Sequence, residues 1–112
     1  MITELHQLKL DMQEFIINLN LRIESISNLI SKQHFIEVND RLLFLAEDLG
    51  VLADTINSLQ ATIPSLDLNE LNEKLQDLVQ AMEEQNYLLI MDVISIELKP
   101  LLEYWSELTR DA

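Results

Sequence analysis

The carboxylates of Glu70 and Glu73 are the side chains of this sequence that are best spaced for chemistry. Positions three apart lie on one face of a helix, so a Glu-x-x-Glu pair can hold a magnesium ion for hydrolysis. No second Glu-x-x-Glu pair is available to face the first, and no basic residues cluster nearby to hold a phosphate. A solvated helix face, with Glu70 helping to cap the helix, accounts for the pair without a metal. A magnesium-dependent hydrolase is therefore the less favoured interpretation.

The other groups that could act in catalysis have no suitable partners. His6 and His34 lack a carboxylate three residues earlier, which is the spacing that di-iron helices use, and they are typical of surface or turn histidines. Cysteine is absent, and one glycine is too few for a phosphate-binding loop. We therefore expect no catalytic, metal-binding or cofactor-binding residues, and we expect that the protein is not an enzyme.

The net charge bears on the choice of partner. Twenty acidic and 7 basic residues give a formal net charge of −13 at pH 7. Nucleic-acid binding depends on Lys and Arg neutralising phosphates, so we expect neither a nucleic acid nor an anionic membrane as partner. The acidity either keeps the protein soluble or attracts a basic protein.

We expect a cytoplasmic protein. The N-terminal residues lack the basic and apolar regions of a signal peptide, and the absence of cysteine suits a reducing compartment. The longest apolar run, residues 87–91, is too short to span a bilayer.

Apolar side chains recur in alternating steps of three and four residues through the middle of the sequence. This spacing keeps them on one side of an α-helix for about seven turns and predicts a long amphipathic helix. The residues of this seam are Phe35, Val38, Leu42, Leu45, Leu49, Leu52, Ile56 and Leu59.

Similar patterns predict four helices, at residues 4–32, 35–60, 68–84 and 87–109. Pro64 ends the second helix, Asp67 is placed to cap the third, and Pro100 predicts a kink or break in the fourth. Gly50 lies inside the second helix, where we interpret it as a point of close helix approach. The fold class expected is all-α: an antiparallel up-down-up-down four-helix bundle, formed as one domain over residues 1–112, with a long first hairpin and a shorter second one.

The unequal helix lengths predict an exposed apolar surface on the long hairpin, because the short third helix cannot cover all of it. Trp and Tyr are favoured anchors in protein interfaces, although Trp105 can also close the end of the bundle core, as the simpler interpretation has it. The partner-binding residues expected on this reasoning are Leu42, Leu45, Leu49, Leu101, Tyr104 and Trp105.

Residues 85–92 and 97–105, which read QNYLLIMD and ELKPLLEYW, resemble the C-terminal hairpin of a family of small acidic helical proteins from Firmicute-type bacteria, mostly of unknown function. In size, charge and helix content the chain also resembles flagellar type III export chaperones. That second resemblance implies a helical bundle that holds aggregation-prone helical ends of filament or cap subunits.

The leading hypothesis is a chaperone-like or adaptor-like module that captures an amphipathic or basic helix of another protein. The alternative is a structural homodimer that buries the same surface against a second copy and has no client.

Overall fold

The computed structural model describes residues 3–111, and every regular element in that range is helical, with no strand. The all-α class is therefore confirmed. Met1, Ile2 and Ala112, which belong to the predicted domain 1–112, lie outside the described residues. The helices are α1 (Glu4–Ser31), α2 (Phe35–Leu59), α3 (Leu68–Glu83) and a fourth helix in three parts: α4 (Tyr87–Asp92), a π-helical turn (Val93–Leu98) and α5 (Lys99–Asp111).

Short polar side chains cap the starts of three helices, where backbone N–H groups have no partner within the helix. Thr3 accepts a hydrogen bond from the His6 N–H at the start of α1. Asp67 accepts one from the Asn69 N–H at the start of α3. The side chain of Asn86 likewise caps α4.

The turns that end α1 and α3 have the same backbone geometry. Gln33 and Gln85 adopt left-handed conformations, with φ of 61° and 52°. The N–H of the next residue bonds back across the turn, from His34 to the Leu29 carbonyl and from Asn86 to the Ala81 carbonyl. Both turns are therefore Schellman motifs in which glutamine occupies the position usually taken by glycine.

An aromatic stack joins these two turns. Phe35 and Tyr87, the first residues of α2 and α4, have ring centroids 4.1 Å apart and planes inclined by 19°. The Tyr87 hydroxyl also donates a hydrogen bond of 2.9 Å to the side-chain oxygen of Asn39. The two turns thus lie together at one end of the molecule.

The core runs the length of the molecule, which measures 48 × 23 × 19 Å, or about two helices in each short direction. Helix α1 packs mainly against α2 and α5, while α3 packs against α2, α4 and the π-helical turn. The buried apolar residues of α1 and α2 are Met12, Ile16, Leu19, Ile23, Ile26, Ile30, Val38, Leu42, Leu45, Leu49, Leu52, Ile56 and Leu59.

The segment between α2 and α3 compensates for the shortness of α3. Ile63 and Leu66 lie in this connection, and both are buried in the same core as the helices. Pro64, between them, is exposed and prevents a helical continuation. The connection therefore covers part of the core that α3 does not reach.

The fourth helix accommodates Pro100 by widening just before it. In a regular α-helix the proline ring would collide with the carbonyl of Ile96. Instead the Lys99 N–H bonds to the Ile94 carbonyl, five residues back, and the chain stays helical through Pro100. The wide turn also suits the four-residue spacing of Ile90, Ile94 and Leu98, all buried, because each such step overshoots an α-helical turn by about 40°.

Gly50 does not mark a close approach of helices, and that interpretation is wrong. A Cβ atom built at Gly50 meets nothing within 4 Å. The backbone there is ordinary α-helix without a positive φ. The glycine therefore lowers helix stability at this position without a packing reason in the monomer.

Replacing Gly50 with Ala should raise the free energy of unfolding by about 1 kcal/mol, because alanine loses less backbone entropy on folding. Urea unfolding followed by circular dichroism measures the change. Glu47→Gly, at an exposed position one turn earlier, is the matched control and should lower stability. A destabilised Gly50→Ala variant would contradict the open space at this site.

Gln33→Gly and Gln85→Gly should each stabilise the protein by about 1 kcal/mol, because glycine adopts the left-handed conformation without a steric penalty. Thermal unfolding of the single and double variants measures this. Gln33→Ala keeps the Cβ atom and should bring no gain; equal stabilisation by alanine and glycine would argue against the backbone explanation.

Candidate protein-interaction surface

The structure buries five of the six predicted partner-binding residues. Leu42, Leu45 and Leu49 face the core from α2, and Leu101 is 7% exposed. Trp105 is 0% exposed, whereas its neighbour Tyr104 is 51% exposed. In this conformation only Tyr104 of the six is open to a partner, and the binding role predicted for the others would require the helices to separate.

The α2 seam is buried because all of its neighbours contribute to covering it. The inner sides of α1, α3 and α5 and the connection at 60–67 share one hydrophobic core with the seam. The uncovered apolar surface expected on the long hairpin is therefore not at Leu42, Leu45 and Leu49. Trp105 fills the core, as in the second interpretation that the sequence left open.

Exposed apolar residues lie instead on the outer sides of α1 and α2. Leu21 on α1 is 61% exposed, and Phe44 and Val51 on α2 are 62% and 54% exposed. Phe44 and Val51 are seven residues apart, so they lie on one side of α2, two turns from each other. We call the line along which this side of α2 meets α1 the outer groove.

Residues of both helices alternate along the outer groove. In each helix these residues recur every three or four positions, on a line beside the residues that enter the core. The α1 residues are Leu8, Asp11, Phe15, Arg22 and Ser25, and the α2 residues are Arg41, Phe44, Asp48, Val51 and Thr55.

An ion pair divides the outer groove into two depressions. The Arg22 guanidinium donates a hydrogen bond to the Asp48 carboxylate across the two helices. On the side of the α1–α2 turn lies a depression of about 340 Å³ lined by Arg22, Ile26, Arg41 and Phe44, which we call the Arg41 pocket. On the other side of the ion pair lies a second depression, of about 180 Å³, which we call the Val51 pocket.

The Val51 pocket is almost wholly apolar. Its walls are Leu8, Met12 and Phe15 of α1 and Val51 of α2, with Asp11 and Thr55 also lining it. The Arg41 pocket combines the Phe44 ring with two of the three arginines of the chain. The outer groove therefore offers one apolar pocket and one pocket that is both apolar and cationic.

The outer groove was not predicted, although the sequence contains a signal for it. Phe44 and Val51 directly precede the core residues Leu45 and Leu52. A second apolar pair seven residues apart, one position from the seam, is typical of a helix with two apolar sides.

Polar side chains connect the fourth helix to α1 and α3 through hydrogen bonds and a salt bridge. The hydroxyls of Ser27 and Ser95 are 2.8 Å apart, and Lys99 donates a 2.6 Å hydrogen bond to Glu24. That hydrogen bond raises the pKa of Lys99 above its usual range. The Lys74 ammonium lies 4.0 Å from the Glu97 carboxylate, which joins α3 to the π-helical turn.

Residues suited to metal chemistry are dispersed. Glu70 and Glu73 are both exposed on α3. Among the side chains described, those of residues 3–110, no three from His, Asp or Glu come together as a metal site. None of the helices described is both long enough and apolar enough to cross a membrane.

Comparison with known proteins identifies one family. The model of a domain of unknown function (DUF8042) matches residues 7–108, which include every residue lining the outer groove. No curated protein matches the chain, and neither does any solved structure.

Trp105→Ala should lower the free energy of unfolding by about 3–5 kcal/mol, because it removes a large side chain from a closed core. Chemical unfolding measures this loss. Tyr104→Ala, at the adjacent exposed position, is the control and should change stability by no more than about 0.5 kcal/mol. A Trp105→Ala variant as stable as the Tyr104 variant would place Trp105 outside the core.

Proposed function

The chain belongs to the DUF8042 family, whose function is unknown, and we propose that it is a non-enzymatic protein-binding module that captures an amphipathic helix of a partner protein. The partner helix lies in the outer groove, with apolar side chains in the Arg41 and Val51 pockets. The observation that carries this proposal is the exposure of Phe44 and Val51 on the side of α2 that meets α1, where each lines a pocket shared by the two helices. Contiguous exposed apolar side chains with a polar rim are typical of interaction sites.

The spacing of the groove favours a helix as the occupant. Phe44 and Val51 are about 10.5 Å apart along α2, since an α-helix rises about 1.5 Å per residue. A partner helix repeats its apolar side chains at the same interval, with anchors at i and i+7. An extended peptide, which rises about 3.3 Å per residue, would cross that distance in about three residues and would alternate its side chains.

The charge of the surface favours a basic partner. Glu14, Asp40 and Glu47 are exposed on the same two helices as the groove. With a net charge of −13, the chain attracts cations from a distance and repels other polyanions, including further copies of itself. Lys or Arg residues on the flanks of the partner helix would be attracted to these carboxylates.

We propose an antiparallel up-down-up-down bundle as the frame of the groove. The three-residue turns at 32–34 and 84–86 support this arrangement, because short connections join neighbouring helices that run in opposite directions. The side-chain hydrogen bonds between Arg22 and Asp48 and between Arg41 and Ser25 also support it. Ser25 follows Arg22 along α1, whereas its partner Arg41 precedes Asp48 along α2, as expected for antiparallel helices.

The resemblance to flagellar export chaperones is compatible with this function, because those proteins hold helical segments of other subunits. A cytoplasmic, chaperone-like or adaptor-like protein is thus part of the proposal. The homodimer is the competing outcome, in which the same groove binds a second copy.

Phe44→Ser with Val51→Ser should abolish capture of a partner without unfolding the protein, because both side chains are exposed in the monomer. Affinity purification of tagged protein from the native lysate, read by mass spectrometry, identifies a candidate partner. Titration of the purified partner then measures the affinity, for which we expect a loss of about 30-fold or more.

Ile96→Ser is the matched control for this experiment. Ile96 is 68% exposed but lies on the fourth helix, away from the outer groove, so partner binding should persist. Equal loss in both variants would indicate non-specific apolar adhesion. Sedimentation of the wild-type chain at twice 13.0 kDa, reversed by the groove substitutions, would favour the homodimer.

A further inference from the structure

We infer that the Arg41 pocket fixes the register of the captured helix by accepting an apolar side chain together with a neighbouring carboxylate of that helix. This inference rests on the proposed function. The partner helix, which is otherwise expected to be basic, should then contain one acidic residue close to one of its apolar anchor residues.

The hydrogen bonding of Arg41 is the first observation that supports this inference. The salt bridges of the described residues use Arg22, Lys74 and Lys99, but not Arg41. Arg41 donates instead to a neutral group, the Ser25 hydroxyl, at 2.8 Å. In a chain with 20 acidic residues, this guanidinium forms no salt bridge with any carboxylate of residues 3–110.

The geometry of Arg41 leaves it able to bind a carboxylate. A guanidinium has five N–H donors in a planar fork that matches the two oxygens of a carboxylate. The bond from Nη1 to Ser25 uses one donor and holds the side chain against α1. Arg41 is exposed, so the remaining donors are open to a partner.

The lining of the pocket specifies what accompanies the carboxylate. Ile26 is buried and belongs to the core, while the Phe44 ring is mostly exposed. An apolar side chain can therefore pack on Phe44 and Ile26 while a carboxylate one helical turn away reaches Arg41. A lysine or arginine at the same place would face Arg22 and Arg41 and would be repelled.

Together the two pockets distinguish one register of the partner helix from the others. The Val51 pocket accepts any apolar side chain of suitable size, whereas the Arg41 pocket also requires an acidic neighbour. A basic helix shifted by one turn would place a cation against two arginines. Selectivity would thus come from repulsion of wrong registers as well as from attraction of the correct one.

A designed peptide tests the inference directly. The probe is a helical peptide with two Leu residues seven positions apart, Lys on its flanks, and one Glu a single turn from one Leu; a second peptide has Gln in place of that Glu. Fluorescence anisotropy with the full chain measures both affinities. We expect the Glu peptide to bind about tenfold more tightly than the Gln peptide.

Arg41→Gln should remove this preference, so that the two peptides bind the variant equally. Arg110→Gln is the matched control, because Arg110 is exposed on α5 outside the groove, and it should keep the preference. Thermal unfolding of both variants checks that the fold is retained. If Arg41→Gln weakened the binding of both peptides equally, Arg41 would contact the peptide without recognising its carboxylate, and the inference would be overturned.

The inference and the proposed function fail in different ways. Equal binding of the two peptides to the wild-type chain, abolished by Phe44→Ser, would overturn the inference and leave helix capture standing. Absence of binding, or binding that Phe44→Ser does not weaken, would overturn both. A wild-type dimer that Arg41→Gln dissociates would identify the occupant as a second copy and would overturn the assignment to a partner helix.

Discussion

Burial of the α2 seam is the constraint on which the other features of this structure depend. From Val38 to Leu59 the helix presents an apolar side chain inward at every turn, and all of these are buried. Exposing such a row to water would cost about 1.5–3 kcal/mol for each side chain. A helix of 25 residues must therefore be covered along its whole length, although α3 has only 16.

The chain meets this constraint with irregular structure. Ile63 and Leu66 bring a non-helical connection into the core. The π-helical turn at Val93–Leu98 keeps Ile94 and Leu98 directed inward and leads into Pro100 without a break. These local departures from regular helix allow a continuous core, and so the inner side of α2 has no surface left for a partner in this conformation.

Because the core is already filled, the apolar residues that stay exposed on α2 are not needed for folding. Phe44 and Val51 contribute little to the core, since each is more than half exposed. Leucines one position later in the sequence fill the core beside them. The outer groove thus has features that the core does not require: exposed apolar side chains, an ion pair between Arg22 and Asp48, and the guanidinium of Arg41, which donates to the Ser25 hydroxyl. A surface of this kind is suited to selective binding of another helix.

The sequence by itself determined the helical class and the inward side of α2, because both depend on periodicity along a single helix. It also located the turns near Gln33 and Gln85 and the cap at Asp67, which depend on residues within one or two turns. It did not determine the π-helical turn, the open space beside Gly50 or the burial of Trp105. The meeting of Arg22, Arg41 and Phe44 in one pocket was likewise decided only by the tertiary structure, since it requires a particular rotation of α1 against α2. That rotation brings together residues 16 to 26 positions apart, such as Ser25 with Arg41 and Arg22 with Asp48, and periodicity within one helix does not identify such pairs.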